Sequence, residues 1–150
     1  MGTEEIVATL RGVDLFSGLS PRVLARIADS GRVAEYAPGA EVVHAGDKVG
    51  GFRAFSAKGV EMHVVLTGEA SVRVHADQVG ALGPGSYFGE LSLIDGQPRS
   101  ADVIAGGNGL RTFALPKWAF DEMLRDHPEM AVPMLKALCA KLRRAESATG

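Results

Sequence analysis

The order of apolar and polar positions predicts helices at the amino end of the chain. Residues Thr3 to Asp29 are predicted to be helical, with Ser20 as the N-cap of a second helix and Pro21 at its first position. The apolar face of that second helix consists of residues at helical spacing, Val23, Leu24 and Ile27.

The carboxyl end predicts two more helices, over Pro116 to Arg125 and Pro128 to Glu146, with Pro133 bending or restarting the second. The second carries an apolar stripe at fourfold spacing, Met130, Met134, Leu138 and Leu142. We expect this stripe to be only partly covered, which would leave a surface for self-association or a partner helix. Cys139 lies inside the apolar pattern and is predicted to be a small buried side chain, a reactive thiol being the alternative.

The middle of the chain has the pattern of short strands separated by turns. It contains 15 of the 19 glycines, between Gly31 and Gly109, and glycine favours turns. The β-type runs are Arg32 to Tyr36, Glu41 to His44, Met62 to Leu66, Ala70 to His75, Val79 to Leu82, Ala101 to Ala105 and Leu110 to Leu115. The residues at 67–69 and 106–109 suit hairpin turns. Many short strands at close spacing indicate a sandwich, barrel or roll.

Composition narrows the class of protein further. The 150 residues carry 16 Lys and Arg against 18 Asp and Glu, so no excess positive charge is available for a nucleic-acid backbone. No apolar run has the length of a signal or transmembrane segment, which predicts a cytoplasmic protein without a membrane partner. The single cysteine, Cys139, cannot form an intramolecular disulfide and has no second cysteine at zinc-ligand spacing.

The segment from Gly83 to Val103 carries the most informative chemistry. A helical turn is predicted over Glu90 to Ile94, and Gly89 at its amino end leaves backbone N–H groups open to an anion. Arg99 follows, and its planar guanidinium can hold two phosphate oxygens at once. The Glu90 carboxylate accepts hydrogen bonds and can take them from ribose hydroxyls. A phosphate site beside a sugar site predicts a nucleotide ligand.

Each of these residues also has a simpler interpretation when taken alone. Glu90 could be a charge that favours the start of a helix, and Arg99 could be a strand residue paired to Asp95 or Asp102. The combination of the residues in one motif favours ligand binding.

The run Phe88 to Leu93, followed by Pro98 to Ala101, resembles the phosphate-binding cassette of the cyclic nucleotide-binding domain family. That family includes bacterial catabolite activator proteins, protein kinase A regulatory subunits and cyclic-nucleotide-gated channels. The resemblance extends over roughly Leu10 to Arg144. It implies an antiparallel β-roll, jelly-roll-like, with helices at both ends: a single domain over 1–150, with N-terminal helices at 1–30, the roll at 31–115, the cassette at 83–103 and C-terminal helices at 116–147.

The same resemblance implies a role for each cassette residue. Glu90 would bind the ribose 2′-hydroxyl and Arg99 the cyclic phosphate. The pocket would further be lined by Gly89, Leu91, Ser100 and Ala101. Ser100 stands where cGMP-selective members of the family often have Thr, so cAMP is the expected ligand and cGMP the alternative.

The chain departs from the family pattern in two places. The connection at 48–61 is longer than is usual in the family, and the role of Phe52, Arg53 and Phe55 is left open. The chain stops at Gly150, soon after the last helix, so we expect a stand-alone receptor that signals through its C-terminal helices to a partner, either a second copy or an effector. The residue that caps the base would lie within Met130 to Glu146 or come from that partner. The late basic residues, Lys136, Lys141, Arg143 and Arg144, are expected to solvate the last helix.

Two other functions compete with this one. A roll that has lost its ligand affinity could serve as an interaction module. A cupin-type metal enzyme is the remote alternative, because rolls of this size also hold iron on clustered histidines and a carboxylate. The four histidines, His44, His63, His75 and His127, are scattered along the sequence, so we predict neither catalysis nor a metal cofactor.

Overall fold

In a computed structural model, residues 2–46, 61–75 and 77–149 form an antiparallel β-roll with helices before, within and after it. The helices of this described part are α1 (Thr3–Arg11), α2 (Pro21–Ser30), α3 (Glu90–Asp95), α4 (Lys117–Asp126) and α5 (Ala131–Thr149), with 3-10 turns at Asp14–Phe16 and Pro128–Met130. Its strands are β1 (Arg32–Tyr36), β2 (Glu41–Val43), β3 (Glu61–Val74), β4 (Asp77–Leu82), β5 (Tyr87–Phe88) and β6 (Asp102–Pro116). The predicted roll is confirmed. Apart from Glu61, the connection at 48–61 lies outside the described residues.

The helix starts follow the capping chemistry of the sequence. The Ser20 hydroxyl accepts the backbone N–H of Val23 at 3.3 Å, and Pro21 is the first residue of α2, as predicted. Pro133 is the third residue of α5, where its missing N–H costs no intrahelical bond. The helix predicted from Pro128 therefore begins with a 3-10 turn, Pro128–Met130, and continues as α5 from Ala131, with Pro133 in the first turn of α5.

The two predicted hairpins are wrong, because strands run through both positions. β3 and β6 pair along their length, from Glu61 opposite Pro116 to Arg73 opposite Asp102. Between Gly68 and Ala70 of β3, the partner on β6 changes from Leu110 to Ala105, so residues 106–109 form a bulge instead of a turn. Glycines suit both structures, since a bulge also needs left-handed backbone.

This bulge marks the place where β6 changes its neighbour. On one side of it, β6 pairs with β1, and on the other side it pairs with β2. The main order of the sheet is β1-β6-β3-β4, and β5 pairs with the start of β3. The single strand β6 therefore takes part in both halves of the roll.

The core consists of two apolar clusters. One lies between the sheet and the helices and includes Phe16, Phe113 and Phe120, which are almost fully buried. The other lies inside the roll and includes Val65 and Phe88. Leu93 of α3 belongs to the first cluster, while Phe88, two residues before α3, belongs to the second. The segment around α3 is thus attached to both cores.

The apolar stripe predicted on the last helix changes along its length from buried to exposed. Met130 and Met134 are buried in the first core, Leu138 is half-buried and Leu142 is exposed. Cys139 is exposed, so its prediction as a buried side chain is wrong. An exposed row on α5 contains Val132, Leu135, Cys139 and Leu142. In the part of the chain that the structure describes, no helix combines the length and hydropathy needed to cross a membrane.

Candidate functional site

The short helix α3 is bounded by two glycines in left-handed conformation. Gly89 precedes it with φ of 88°, and Gly96 follows it with φ of 70°. A Cβ atom on Gly89 would lie 2.8 Å from the carbonyl oxygen of Glu61 and 3.2 Å from Nη1 of Arg99. Both the backbone conformation and the close approach therefore require glycine at position 89.

Arg99 is held against this turn by backbone carbonyls. Its Nη1 donates to the carbonyl oxygen of Gly89 at 2.7 Å, and its Nη2 donates to that of Glu61 at 2.9 Å. The hydrogen bonds found for Asp95 and Asp102, the two carboxylates that the sequence offered as partners, come from the backbone N–H groups of Gln97 and Ala45. The guanidinium is thus oriented beside the amino end of α3.

Glu61 supports the same corner from the sheet. Its side chain is buried and accepts two hydrogen bonds from Arg32, from Nη2 at 2.6 Å and from Nε at 3.2 Å. The bond with Glu61 is the largest cause that raises the pKa of Arg32 above its ordinary value. Sequence reasoning missed this pair, because its members lie 29 residues apart. The charged residue that begins an apolar strand was the available signal.

Glu90, the first residue of α3, is 3% exposed and forms an ion pair with a residue of the last helix. Lys141 Nζ of α5 donates to Glu90 Oε1 at 2.9 Å. The expectation that Lys141 only solvates its helix is therefore wrong. A buried carboxylate needs a charge or hydrogen-bond partner, and the nearest turn of α5 supplies one.

Polar and aromatic side chains line the interior behind the cassette. His63 Nδ1 lies 2.9 Å from the hydroxyl of Thr112, and the His63 ring stacks on Phe88 with centroids 4.9 Å apart. Burial, followed by the negative charges of Glu90 and Asp14, raises the pKa of Tyr87. The aromatic residues Tyr87 and Phe88 thus belong to the packing of the site.

The other predicted lining residues, Leu91, Ser100 and Ala101, are more exposed than Glu90. Leu91 follows Glu90 on α3 and is exposed, as is Ser100, while Ala101, between Ser100 and β6, is half-buried. The structure therefore brings Gly89 and Arg99 into contact and buries Glu90. The ligand roles of all six residues remain predictions.

One group within the described residues has the composition of a metal site: Glu41 of β2, His44 directly after β2, and Asp102 of β6. His44 Nδ1 is 2.9 Å from Glu41 Oε1 and 3.4 Å from Asp102 Oδ1. Both Glu41 and His44 are exposed. Asp102 also accepts the N–H of Ala45, so these contacts tie β2 to β6.

Comparison with known proteins places this architecture in a family. Residues 33–127 match the family model described as "Cyclic nucleotide-binding domain". The chain is 34% identical over 123 residues to the cAMP-dependent protein kinase regulatory subunit of Mycosarcoma maydis, and 31% identical over 127 residues to the cGMP-dependent protein kinase, isozyme 1, of Drosophila melanogaster. These alignments cover 77% and 85% of this chain but only 22% and 16% of the relatives. The catabolite activator protein of Thermus thermophilus superimposes with a TM-score of 0.74 at 26% identity, over 91% of this chain and 61% of that one.

Proposed function

Because this chain belongs to the cyclic nucleotide-binding domain family, we propose that it is a regulatory domain that binds cAMP in preference to cGMP. Binding would be passed through α4 and α5 to a partner. The observation that carries the proposal is the preformed corner at α3, in which Arg99 donates hydrogen bonds to the carbonyl oxygens of Gly89 and Glu61.

The chemistry of this corner suits a cyclic nucleotide. A guanidinium oriented by two carbonyls offers charge-assisted hydrogen bonds to a cyclic phosphate. The buried Glu90 carboxylate accepts hydrogen bonds and so suits the ribose 2′-hydroxyl. Leu91, Ser100 and Ala101 would line the pocket, and Ser100 supports cAMP over cGMP by the resemblance given above. The relatives include a regulatory subunit of a cAMP-dependent protein kinase and a cGMP-dependent protein kinase, so their names do not separate the two nucleotides.

Calorimetric titration with cAMP and cGMP tests the ligand, with 5′-AMP as a control for non-specific nucleotide binding. We expect the tightest binding for cAMP. Equal binding of 5′-AMP, or no binding of either cyclic nucleotide, would contradict the proposal.

Arg99→Ala tests the phosphate contact. We expect this variant to lose at least ~2 kcal/mol of cAMP binding, because a charge-assisted partner of the phosphate is removed. The variant also loses its bonds to Gly89 and Glu61, so its folding must be checked by circular dichroism. Arg22→Ala, on the exposed face of α2, is the matched control and should titrate like the parent. A folded Arg99→Ala protein with the parent's affinity would show that the phosphate binds elsewhere.

Glu90→Gln tests the ribose contact. The amide keeps one acceptor oxygen but replaces the other by a donor, so cAMP binding should weaken less than in Arg99→Ala. The affinity for 2′-deoxy-cAMP should change little. An equal loss for both ligands would contradict a contact between Glu90 and the 2′-hydroxyl.

The partner is proposed to bind on α5, as a second copy or as an effector. The row Val132, Leu135 and Leu142 is exposed on this helix and would lose its apolar surface to water on association. Sedimentation with and without cAMP distinguishes the two: a concentration-dependent dimer supports self-association, while a monomer in both states leaves a heterologous partner. A cyclic nucleotide receptor would work beside the cellular nucleotide pool, so we propose the cytoplasm as its location.

A further inference from the structure

The carbonyl group of Glu61 lies on the edge of β3 where β5 ends. The Val65 N–H donates to the carbonyl oxygen of Ser86 at 2.8 Å, so Val65 faces the β5 segment. Every second residue of a strand directs its backbone groups to the same edge, which places the Glu61 carbonyl on this edge as well. Strand β5 ends at Phe88, before it reaches Glu61. The hydrogen bond that a longer strand would donate to Glu61 comes from Nη2 of Arg99 instead, at 2.9 Å.

The side chain of Glu61 is fixed by Arg32, the first residue of β1. The Glu61 side chain is 7% exposed, and Arg32 donates to both of its oxygens, from Nη2 at 2.6 Å and from Nε at 3.2 Å. Glu61 is the first residue of β3 and has no residue of β5 opposite it, so the ladder restrains its backbone less than that of His63. The two bonds from Arg32 therefore restrain Glu61 where the sheet is incomplete.

Glu61 is thus bonded to two arginines through different groups. Its carboxylate binds Arg32, whose side chain is 40% exposed, and its carbonyl oxygen binds the guanidinium of Arg99. A shift of the Glu61 backbone would move one acceptor of Arg99, the other being the carbonyl oxygen of Gly89. A binding group keeps its full interaction only when it is held within about 0.5 Å of its productive position. The ion pair of Arg32 can therefore affect a guanidinium that it does not touch.

We propose that Arg32 is a positioning residue for the phosphate: it fixes Glu61, and the Glu61 carbonyl fixes the guanidinium of Arg99. This inference rests on the proposed function, since it requires Arg99 to bind the cyclic phosphate. It extends the binding site to an ion pair between β1 and β3, outside the cassette. Arg32 acts through Glu61 and not on the phosphate itself.

Arg32→Met tests the positioning, because methionine keeps an unbranched side chain but removes the guanidinium. We expect calorimetry to show that the affinity for cAMP falls by about threefold to tenfold, the range for one lost hydrogen bond. Arg32→Lys keeps the charge but not the paired donors, so its affinity should lie between those of Arg32→Met and the parent. Arg111→Met breaks another ion pair of β1, that of Glu35 with an arginine 41% exposed, and should bind like the parent.

A double-mutant cycle separates positioning from a general structural role. In the Arg99→Ala background, Arg32→Met should change the affinity for cAMP by less than about twofold, since the residue through which Arg32 acts is already absent. An equal loss in both backgrounds would show that Arg32 acts on the ligand itself or on the fold, and would overturn the proposal. Unchanged affinity in a folded Arg32→Met protein would overturn it as well.

A second variant covers the case in which Arg32→Met does not fold, because it leaves the buried Glu61 carboxylate without its cation. The double variant Arg32→Met, Glu61→Met removes both charges, and apolar replacement of a buried ion pair is often tolerated. It should show the same loss of cAMP affinity. A folded double variant with the parent's affinity would overturn the proposal.

Nitrogen NMR of the ligand-free protein tests the positioning without a nucleotide. A guanidinium held by two carbonyls rotates slowly, so its two Nη groups give separate signals, and Arg99→Ala identifies those of Arg99. We expect these signals to merge or broaden in Arg32→Met and to stay as in the parent in Arg111→Met. Signals already merged in the parent, or unchanged in Arg32→Met, would overturn the proposal. If the parent binds no cyclic nucleotide, the proposed function fails, and the NMR data still decide whether Arg32 positions Arg99.

Discussion

At the scale of single residues, two buried carboxylates lie in and beside the cassette, and each has a cationic partner. Glu61 is bonded to Arg32, and Glu90 is paired with Lys141. Among the described residues, no buried side-chain nitrogen or oxygen lacks a hydrogen-bond partner. Charged side chains can be buried in a core of this size because each of them has a hydrogen-bond or ion-pair partner.

Tyr87 gives this arrangement a measurable pH dependence. Burial and the nearby carboxylates raise its pKa above the ordinary value of 10.0, so the folded state disfavours ionised tyrosine. The resulting stabilisation is complete below pH 10 and is lost as the pH rises through the pKa of the folded protein. Tyr87→Phe should therefore lose less stability than the parent between neutral pH and a pH above 10, as measured by urea unfolding.

Tyr36 has a pKa raised in the same direction, mainly by burial, so Tyr87→Phe removes only part of the alkaline dependence. Parallel loss of stability in parent and variant would show that ionisation of Tyr87 does not affect folding.

The sequence predicted some of these residues and missed others for a physical reason. Gly89, Glu90 and Arg99 stand within one short segment, where each residue type indicates its own chemistry. Glu61 and Lys141 take their roles from partners far away in the chain, and no local pattern encodes those contacts. An isolated lysine near the end of an amphipathic helix is indistinguishable from a solvated one until its neighbour is known.

At the scale of elements, the bulge opposite Gly68 requires a close approach of two backbones. Gly68 has φ of 84°, and a Cβ atom there would lie 2.2 Å from the carbonyl oxygen of Gly109. Gly85 has nearly the same conformation, with φ of 87°, but no described atom lies within 4 Å of its Cβ position. A substitution at Gly85 therefore adds backbone strain alone, whereas one at Gly68 adds the same strain and a steric clash.

Gly68→Ala should therefore cost at least about 2 kcal/mol more stability than Gly85→Ala, since only the first substitution adds a clash with the backbone. Urea unfolding of the two variants measures the difference. Equal losses would mean that the bulge relaxes around the new methyl group.

The sequence predicted the existence of most elements but not their continuity. Gly68 and the glycines at 106–109 are equally suited to a hairpin turn and to a bulge. Only the pairing of β3 with β6 decides between the two. Cys139 was similarly placed on the wrong face of α5, because fourfold spacing leaves the rotation of a long helix undetermined where half of its length is exposed.

At the scale of the whole molecule, the cassette is positioned to affect the terminal helices. Leu93 of α3 shares a core cluster with Phe120 and Met123 of α4. The other two apolar side chains of α3, Leu91 and Ile94, are exposed. A shared core cluster and an ion pair thus connect the cassette with the C-terminal helices.

We therefore expect cAMP to change hydrogen exchange in residues 118–141 as well as in the cassette, 83–103. Such a change requires the ligand to bind two arrangements of the helices with different affinity. Exchange measured with and without cAMP tests this expectation. Changes confined to 83–103 would indicate a domain that binds ligand without transmitting a signal.

The strand order also determines when the chain can fold during its synthesis. Strand β1 leaves the ribosome long before β6, and Arg32 of β1 pairs with Ala114 of β6. The hairpin of β3 and β4 can close as soon as residue 82 has emerged, whereas the rest of the sheet must wait for β6. Sheets dominated by such distant pairings fold slowly and expose unpaired strand edges meanwhile. A nascent chain stalled before Asp102 would present those edges to other chains. The yield of the folded protein in cells should therefore depend on chaperones more than that of a helical protein of equal length.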